Sequence, residues 1–456
     1  MAATRPPSME APEHDDGLRL PWSRSRRAVA RRVVQPLQSF LEEESSSAFL
    51  LLGAAMIGLA WANSPWQAGY HDLWGRELTL TIGNWRLTET LQHWVNDGLM
   101  SLFFLVVGLE IKREFLTGEL RDPRAAAVPV IAAIGGMVVP ALIYVALNAG
   151  GEGSGGWGVP MATDIAFALG VLTLAARSAP PSLKPFLLTL AIVDDIGAIL
   201  VIAIFYSRGV SVLALLIAVA LGVMVVVLQR FDVRSTAVYV GLGVGMWLAV
   251  FESGVHPTIA GVGLGLLTPT VAFQRPRAVS YEAIRTAEST VDEPDPPDAD
   301  APQWLRLAWL SREAVSPLAR VEAALHPWTS YLIIPLFALA NAGVTFTEGG
   351  FRDSLTSPIT LGVVLGLVVG KVAGITLASF AAVRSGVGRL PTGCGWRQMV
   401  GVSAIAGIGF TVSLFIAELA FTQPLLADEA KIGIFAASIV AGGLGFAILR
   451  TGRRPA

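Results

Sequence analysis

The stretch FLLTLAIVDDIGAILVIAIFY (Phe186–Tyr206) carries two adjacent carboxylates, Asp194 and Asp195, at its centre. A helix that spans a bilayer needs about 20 mostly apolar residues, and this stretch is long enough. A charged residue at the centre of such a helix costs about 2.5–3.5 kcal/mol on insertion scales. A chain that keeps two carboxylates there is therefore expected to use them on something charged.

The composition supports a membrane protein. Hydrophobic residues make up 53% of the 456 residues and charged residues only 15%, whereas about 25% of a soluble protein is charged. Apolar runs recur along the chain and predict about twelve transmembrane helices, at 47–63, 93–112, 125–147, 157–176, 183–206, 211–229, 235–251, 255–273, 328–346, 359–383, 396–421 and 431–449. We therefore predict an all-α polytopic membrane protein. No soluble catalytic domain is visible, so an enzyme is not expected.

The basic residues predict the orientation. Of the 33 Lys and Arg residues, 27 lie in segments on the side of the N-terminus. The opposite side holds only Arg76, Arg86, Arg208, Arg352 and Lys431. Because cytoplasmic loops carry the excess of Lys and Arg, both termini are predicted to be cytoplasmic.

The segments between the spans define the domain organisation. Residues 1–45 are predicted to form a mostly disordered cytoplasmic tail, followed by spans 1–8 within 46–273. Alternation of polar and apolar residues at about 77–89 predicts a β-hairpin on the outer face. A cytoplasmic loop at 274–327 includes the acidic, Pro-rich stretch Val291–Pro302, which is expected to be disordered. Spans 9–12 occupy 328–449, and 450–456 form the cytoplasmic C-terminus.

Five ionisable residues fall inside the predicted spans: Asp97, Asp164, Asp194, Asp195 and Lys371. Lys371 lies near the middle of its span, at the same depth as the two adjacent Asp residues. Neighbouring residues on a helix point about 100° apart, so only one Asp can face Lys371 while the other faces a water-filled cavity. A purely structural ion pair would explain one buried charge, but five buried ionisable residues favour a functional site.

Two spans contain helix breakers. Gly158 and Pro160 precede Thr163 and Asp164 in the fourth span, and Gly407 and Gly409 interrupt the eleventh. Paired interruptions in two halves of a transporter indicate a binding site near the bilayer midplane. Spans 3–5 and 10–12 would then be inverted repeats. Asp164 and Lys371 are suited to balance the partial charges at the ends of the broken helices.

Several long stretches of the sequence resemble NhaA-type sodium/proton antiporters, one of the families in which paired interruptions are known. They are WVNDGLMSLFFLVVGLEIKREF, VPMATDIAFALG, LAIVDDIGAI, ESGVHPTIAGV, LHPWTSYLIIPLFALANAGV and IAGIGFTVSLFIAELAF. The resemblance implies the inverted-repeat antiporter fold, in which spans 4 and 11 are broken and cross. It implies that Asp195 is the chief carrier of cation and proton, that Na⁺ binds at Asp195 and Asp194, and that Asp194 pairs with Lys371. Thr163 and Asp164 would flank the site.

The resemblance also implies residues with secondary roles. Those that match a cytoplasmic pH-responsive cluster are Glu110, Lys112, Arg113, Glu114 and Glu322. His256 matches a position linked to pH response, although a structural role before Pro257 is favoured, and Asp97 matches a funnel carboxylate. The chain departs from the family in its long tail, in the insert at 286–303, and in a Lys motif that reads GKVAG where a Pro is expected after the Lys.

The resulting hypothesis is an electrogenic, pH-activated Na⁺(Li⁺)/H⁺ antiporter of the cell inner membrane that exports sodium in exchange for protons. A cation-coupled solute symporter with a similar broken-helix site is the alternative. The sequence does not fit an intramembrane aspartyl protease, which would need two carboxylates from separate helices. It does not fit a cation channel either, since a channel would need a repeated ring of selectivity groups. The expected partners are Na⁺, Li⁺, H⁺ and membrane lipid, with a possible homodimer through the hairpin. No cofactor and no nucleic acid are expected.

Overall fold

A computed structural model describes residues 44–83, 85–175, 180–207, 209–291, 301–345 and 350–451. The described residues are mostly helical. Residues 1–43 of the tail predicted at 1–45, residues 292–300 of the acidic stretch and the terminal residues 452–456 lie outside them, so their predicted structure stays an expectation.

The elements before the long loop include one pair of strands and a 3₁₀ helix at Glu152–Met161. In chain order the strands and α-helices are α1 (Glu44–Ala62), α2 (Gln67–Trp74), β1 (Glu77–Ile82), β2 (Trp85–Thr90), α3 (Leu91–Thr117), α4 (Pro123–Asn148), α5 (Ile165–Ala175), α6 (Leu183–Phe205), α7 (Val212–Arg230), α8 (Thr236–Glu252) and α9 (Thr258–Leu267).

The later elements are all helices. They are α10 (Pro276–Val291), α11 (Ala301–Glu313), α12 (Pro317–Asn341), α13 (Gly350–Thr356), α14 (Pro358–Arg384), α15 (Trp396–Ile405), α16 (Phe410–Ala420) and α17 (Pro424–Arg450).

The number of membrane spans depends on how bent helices are counted. Among the described residues, seven helices are long and apolar enough to cross a membrane, or up to ten if each of three bent pairs is one span. The shorter apolar helices α8 and α9 come in addition. The chain is thus an integral membrane protein with several apolar helices. The twelve predicted spans exceed the count of ten and stay a prediction.

The strand pair lies where the alternating sequence placed it. β1 and β2 are antiparallel, with Glu77 opposite Thr90 and Thr79 opposite Thr88. Gly83 adopts a φ of 61° at the turn, a conformation that glycine tolerates because it has no Cβ. The Thr90 hydroxyl then accepts a hydrogen bond from the His93 amide and so caps the start of α3.

The loop between the two groups of spans contains more helix than the sequence predicted. Helices α10 and α11 occupy much of 274–327, and α12 begins at Pro317 rather than at 328. The reason for the earlier start is local, because the Ser316 hydroxyl accepts from the Ala319 amide and Pro317 occupies the first turn. Ser at the cap and Pro in the first turn are both typical helix starts.

The site is positioned by two helices that pack closely. A Cβ on Gly136 of α4 would lie 2.7 Å from Ile375 and 3.7 Å from the Lys371 Cδ atom of α14, so glycine is required for this approach. The Lys371 side chain is fully buried as a result. The periphery is different, because α7 exposes large apolar residues such as Leu213 and Leu216, as expected of a surface that faces lipid.

Candidate ion-binding site

Two interrupted helices build the centre of the molecule. The 3₁₀ helix Glu152–Met161 and α5 are joined through a short extended segment with a bend of 46°, and α15 and α16 are joined with a bend of 49°. Pro160 lies before the first interruption, and Gly407 and Gly409 lie within the second. The breakers identified in the sequence thus mark the positions of both bends.

The two interruptions are hydrogen-bonded to each other. The Thr163 hydroxyl donates to the Ala406 carbonyl oxygen at 2.7 Å, and the Asp164 amide donates to the Ile408 carbonyl oxygen at 2.6 Å. Backbone groups that a broken helix leaves without intrahelical partners are costly in a membrane. Each interrupted helix therefore supplies partners for the other.

Asp164 caps two helices at once. Its Oδ1 atom accepts from the Phe167 amide at 3.0 Å, in the first turn of α5. Its Oδ2 atom accepts from the amide and the hydroxyl of Thr411, at 3.1 and 2.6 Å, in the first turn of α16. Helix N-termini carry partial positive charge, so one carboxylate balances both. Sequence reasoning missed Thr411, whose position two residues after Gly409 is not by itself a signal of this role.

Lys371 and Asp194 form an ion pair in the core. The Lys371 Nζ atom lies 2.5 Å from the Asp194 Oδ2 atom, and both side chains are inaccessible to solvent. Lys371 also donates to the Thr163 hydroxyl at 3.0 Å. Thr163 in turn donates to the Ala406 carbonyl oxygen, directly after α15, so one hydroxyl links the ammonium to the C-terminal end of that helix.

Asp195 occupies a different environment from its neighbour. It is 4% exposed, and its Oδ1 atom has no hydrogen-bond partner among the described residues, as is also true of the Asp194 Oδ1 atom. The carboxylates of Asp194, Glu110 and Asp164 and the single ammonium of Lys371 all act on the charge of Asp195. Buried polar atoms nearly always have partners. The Oδ1 atoms of Asp194 and Asp195, which have no partner among the described residues, can each accept a proton or contact a cation.

The side chains of this region offer oxygen atoms of the type that a small cation prefers. The described residues contain no group of three or more His, Cys, Asp or Glu side chains that could hold a metal ion. The Thr163 hydroxyl and the Asp164 carboxylate lie at the interruptions, and Asp194 is joined to Thr163 through the Lys371 ammonium. Hard cations prefer oxygen ligands, and a cation here would offset the excess of carboxylates over the one ammonium.

Four residues of the predicted pH-responsive cluster, Glu110, Lys112, Arg113 and Glu114, lie along the C-terminal part of α3, and the fifth, Glu322, lies on α12. Arg113 forms an ion pair with Glu322, and the Lys112 Nζ atom donates to the Thr268 carbonyl oxygen at 2.6 Å, at the end of α9. Glu110 lies close enough to Arg113 and Glu322 to interact with both charges. Glu110 also interacts with the charge of Asp195, so it is electrostatically coupled both to this group and to the buried carboxylates.

Glu114 belongs to a cavity beside the same helix. Its Oε1 atom accepts from the Glu119 amide at 2.8 Å and from the Thr189 hydroxyl at 3.2 Å. The cavity has a volume of about 880 Å³, and Lys184 and Asp122 also line it. Thr189 lies on α6, five residues before Asp194. The cavity therefore approaches the helix that carries the buried carboxylates.

Two predicted residues lie apart from the site. Asp97 is on α3 but thirteen residues before Glu110, which at 1.5 Å per residue is about 20 Å along the helix; its carbonyl oxygen accepts from the Trp247 indole at 3.0 Å. The Nε2 atom of His256 lies 3.0 Å from the Tyr206 carbonyl oxygen, after the end of α6. This contact fits the structural role that the sequence favoured for His256.

Comparisons with known proteins identify the family of the chain. The sequence model of the family described as Na⁺/H⁺ antiporter 1 matches residues 38–449. The chain is 45% identical to the Na⁺/H⁺ antiporter NhaA of Oleidesulfovibrio alaskensis, over 93% of this chain and 96% of the relative. It is 46% identical to Na⁺/H⁺ antiporter NhaA 2 of Sorangium cellulosum, over 95% and 93%, and 46% identical to Na⁺/H⁺ antiporter NhaA of a Janthinobacterium species, over 92% and 93%. The chain therefore belongs to the NhaA family of Na⁺/H⁺ antiporters.

Proposed function

We propose that the chain is an electrogenic, pH-activated Na⁺(Li⁺)/H⁺ antiporter that works as a secondary active transporter and exports sodium in exchange for protons. The observation that carries this proposal is the pair of buried carboxylates, Asp194 and Asp195, each with an oxygen that lacks a hydrogen-bond partner among the described residues. Leaving such atoms unpaired inside a membrane protein is costly. A proton or a cation relieves the cost, and only one of them does so at a time.

The two carboxylates have different proposed roles. Asp195 is the chief carrier, because its carboxylate forms no ion pair within the described part of the chain. Asp194 completes the cation site with its free oxygen, while its other oxygen stays with Lys371. When the carboxylates lose their protons, they form with Thr163 an oxygen site for Na⁺ or Li⁺. When they gain protons, the charge that attracts the cation is gone.

This exclusion of one ion by the other produces antiport. We propose that two protons exchange for one monovalent cation, so that each cycle moves one net charge across the membrane. A membrane potential of 100 mV then contributes about 2.3 kcal/mol per cycle. A tenfold concentration ratio is worth about 1.4 kcal/mol, so this potential alone supports a sodium gradient of more than tenfold.

The finer architecture follows the family. Counting each bent pair and both short apolar helices as spans gives twelve, with α15 and α16 as the broken eleventh span. The broken fourth span consists of the 3₁₀ helix Glu152–Met161 and α5. Their hydrogen bonds through Thr163 and Asp164 support a crossing at mid-membrane. Inverted repeats of spans 3–5 and 10–12, cytoplasmic termini and a location in the inner membrane complete the proposal.

The hairpin is proposed to lie on the outer face and to join two copies of the chain. Leu78 and Leu80 of β1 are each more than two-fifths exposed, so this strand has apolar side chains available to a second copy. A sheet edge with exposed apolar residues readily pairs with another strand.

The proposed pH response has two parts. Competition between protons and the cation at Asp195 is the first. The second is the group around Glu110, Arg113 and Glu322, because Glu110 acts on both that group and Asp195. Asp97 is assigned a secondary role in an outer funnel. The contact of His256 with Tyr206 supports a structural role for this histidine more than a role in sensing pH.

Symport with an organic solute has no support from the relatives, whose names state Na⁺/H⁺ antiport. Everted membrane vesicles that contain the protein and a pH-sensitive dye distinguish the two functions. A pulse of NaCl should make the interior of acidified vesicles more alkaline without any organic solute. Vesicles without the protein are the control, and a signal that needs a solute would contradict antiport.

A further inference from the structure

A second buried ion pair lies away from the site, between α16 and α17. The Lys431 Nζ atom is 2.6 Å from the Glu418 Oε1 atom, and the two side chains are 8% and 20% exposed. The sequence placed Lys431 among the outer loop charges, but α17 begins at Pro424 and buries it. Ionic side chains are expensive in such a position unless they are paired.

Glu418 lies at an unfavourable position on its own helix. It falls in the last turn of α16, where the helix carries partial negative charge and an acidic residue is repelled. Lys431 supplies the positive charge that this end requires. The ion pair therefore fixes the C-terminal end of α16 to α17.

The other end of α16 holds Asp164. Thr411 donates two hydrogen bonds to that carboxylate, and the Ser413 hydroxyl donates to the Val159 carbonyl oxygen at 2.8 Å. From Thr411 to Glu418 is two helical turns, or about 10 Å. The short, continuous helix α16 thus connects the Glu418–Lys431 ion pair with the hydrogen bonds that Thr411 donates to Asp164.

Helix α17 is fixed in turn to α14, which carries Lys371. The Thr360 hydroxyl of α14 donates to the Glu429 carbonyl oxygen of α17 at 2.8 Å. A Cβ on Gly433 would lie 3.0 Å from both the Thr360 carbonyl oxygen and Val363, so the two helices approach without room for a side chain. Helix α17 is therefore held directly against the helix that carries Lys371.

We propose that Glu418 and Lys431 are positioning residues for ion exchange. Their ion pair holds α16, with Asp164 at its start, in a fixed place relative to the helix of Lys371. Without the ion pair, the two charged groups beside the transported ion lose their mutual alignment. The inference rests on the proposed antiport, and it adds a requirement for residues that do not touch the ion.

Asp428 provides a matched control. It also acts on the charge of Lys431, but it lies one turn earlier on the same helix, so it cannot connect α17 to α16. Asp428→Asn removes one negative charge that acts on Lys431, keeps an oxygen that can accept from the Thr345 amide, and leaves the Glu418–Lys431 ion pair intact. Glu418→Gln removes an equal charge and breaks the link.

The experiment compares the Na⁺ concentration for half-maximal exchange in everted vesicles with the Tm of the purified protein. Glu418→Gln should raise that concentration between about 2-fold and 30-fold, the range that changes remote from a ligand usually produce. Asp428→Asn should stay within about twofold of the unmodified protein. The exchanged pair Glu418→Lys with Lys431→Glu is made together with Asp428→Asn, because Asp428 interacts with the charge at position 431 and would repel a carboxylate there. This combined variant should recover most of the loss.

Three outcomes would overturn the inference. One is a lower Tm in Glu418→Gln with unchanged Na⁺ dependence, which would mean that the ion pair is only structural. Another is an Asp428→Asn variant as impaired as Glu418→Gln, which would assign the effect to charge alone. The third is failure of the exchanged pair to recover exchange although it inserts normally. Should Glu418→Gln not insert, Glu418→Asp, which keeps the charge, must still give a smaller shift in the same direction. Absence of exchange in the unmodified protein would instead contradict the proposed function.

Discussion

Replacing Thr411 by valine tests the part of the site that sequence reasoning missed. Valine has nearly the same shape as threonine, so the change removes one hydroxyl and little packing. That hydroxyl donates to the Asp164 Oδ2 atom at 2.6 Å in a buried environment. Asp164 keeps two donors in the variant, the amides of Thr411 and Phe167. The perturbation is therefore confined to one hydrogen bond.

The expected cost follows from the type of hydrogen bond. A hydrogen bond to a charged group contributes about 1.5–3 kcal/mol, against about 0.5–1.5 kcal/mol for a neutral one. Thr411→Val should therefore lower the free energy of unfolding by about 1.5–3 kcal/mol. For a large chain, each kcal/mol corresponds to a Tm shift of at most about 2–4 °C. A decrease in Tm of several degrees is expected, together with weaker Na⁺ activation, because Asp164 then balances the start of α16 less well.

Thermal melts of the purified protein in detergent, beside vesicle exchange, provide the assay. Thr173→Val is the matched control, since that exposed hydroxyl on α5 donates to the neutral Leu169 carbonyl oxygen at 2.7 Å. Thr411→Ser should retain most of the stability because it keeps the hydroxyl. Equal Tm values for Thr411→Val and Thr173→Val would refute the assignment of Asp164 as a cap held by Thr411.

Three further outcomes are expected. Asp195→Asn should abolish cation-dependent proton movement while the protein still inserts, and exchange at a near-normal rate in vesicles would contradict the site. Asp194→Asn should also lower the Tm, because removing one partner of a buried ion pair costs about 3–5 kcal/mol; a melt like that of the unmodified protein would argue against the pair with Lys371. Replacing residues 292–300 by a Gly/Ser linker of equal length should leave exchange unchanged, and its loss in a normally inserted variant would reveal a regulatory segment.

The family and the membrane class could be predicted from the sequence because both rest on long, specific patterns. The depth of Lys371 within its apolar run matched that of Asp194, and the structure pairs the two. Gly158 and Pro160 predicted one helix interruption, and Gly407 and Gly409 predicted the other. These signals are visible because charge and helix breakers are rare in apolar spans.

Other features depend on contacts that no local pattern records. Thr411 looks like any hydroxyl residue in an apolar run, and its role appears only when α16 lies against Asp164. Glu418 and Lys431 are thirteen residues apart in the sequence, on either side of a helix boundary, so neither looks buried. Helices α10 and α11 were missed because the acidic stretch between them dominated the composition of the loop.

The dependence of the apparent Na⁺ affinity on pH tests the central claim most directly. If proton and cation share Asp195 and Asp194, the site must lose protons before it binds Na⁺. Simple competition then predicts up to about a tenfold increase in apparent affinity per pH unit for each proton displaced, or about 1.4 kcal/mol. Between pH 6.5 and pH 8.5, exchange in vesicles should require steadily less Na⁺, with little activity in acid. An apparent affinity that stays flat over this range would contradict a shared site.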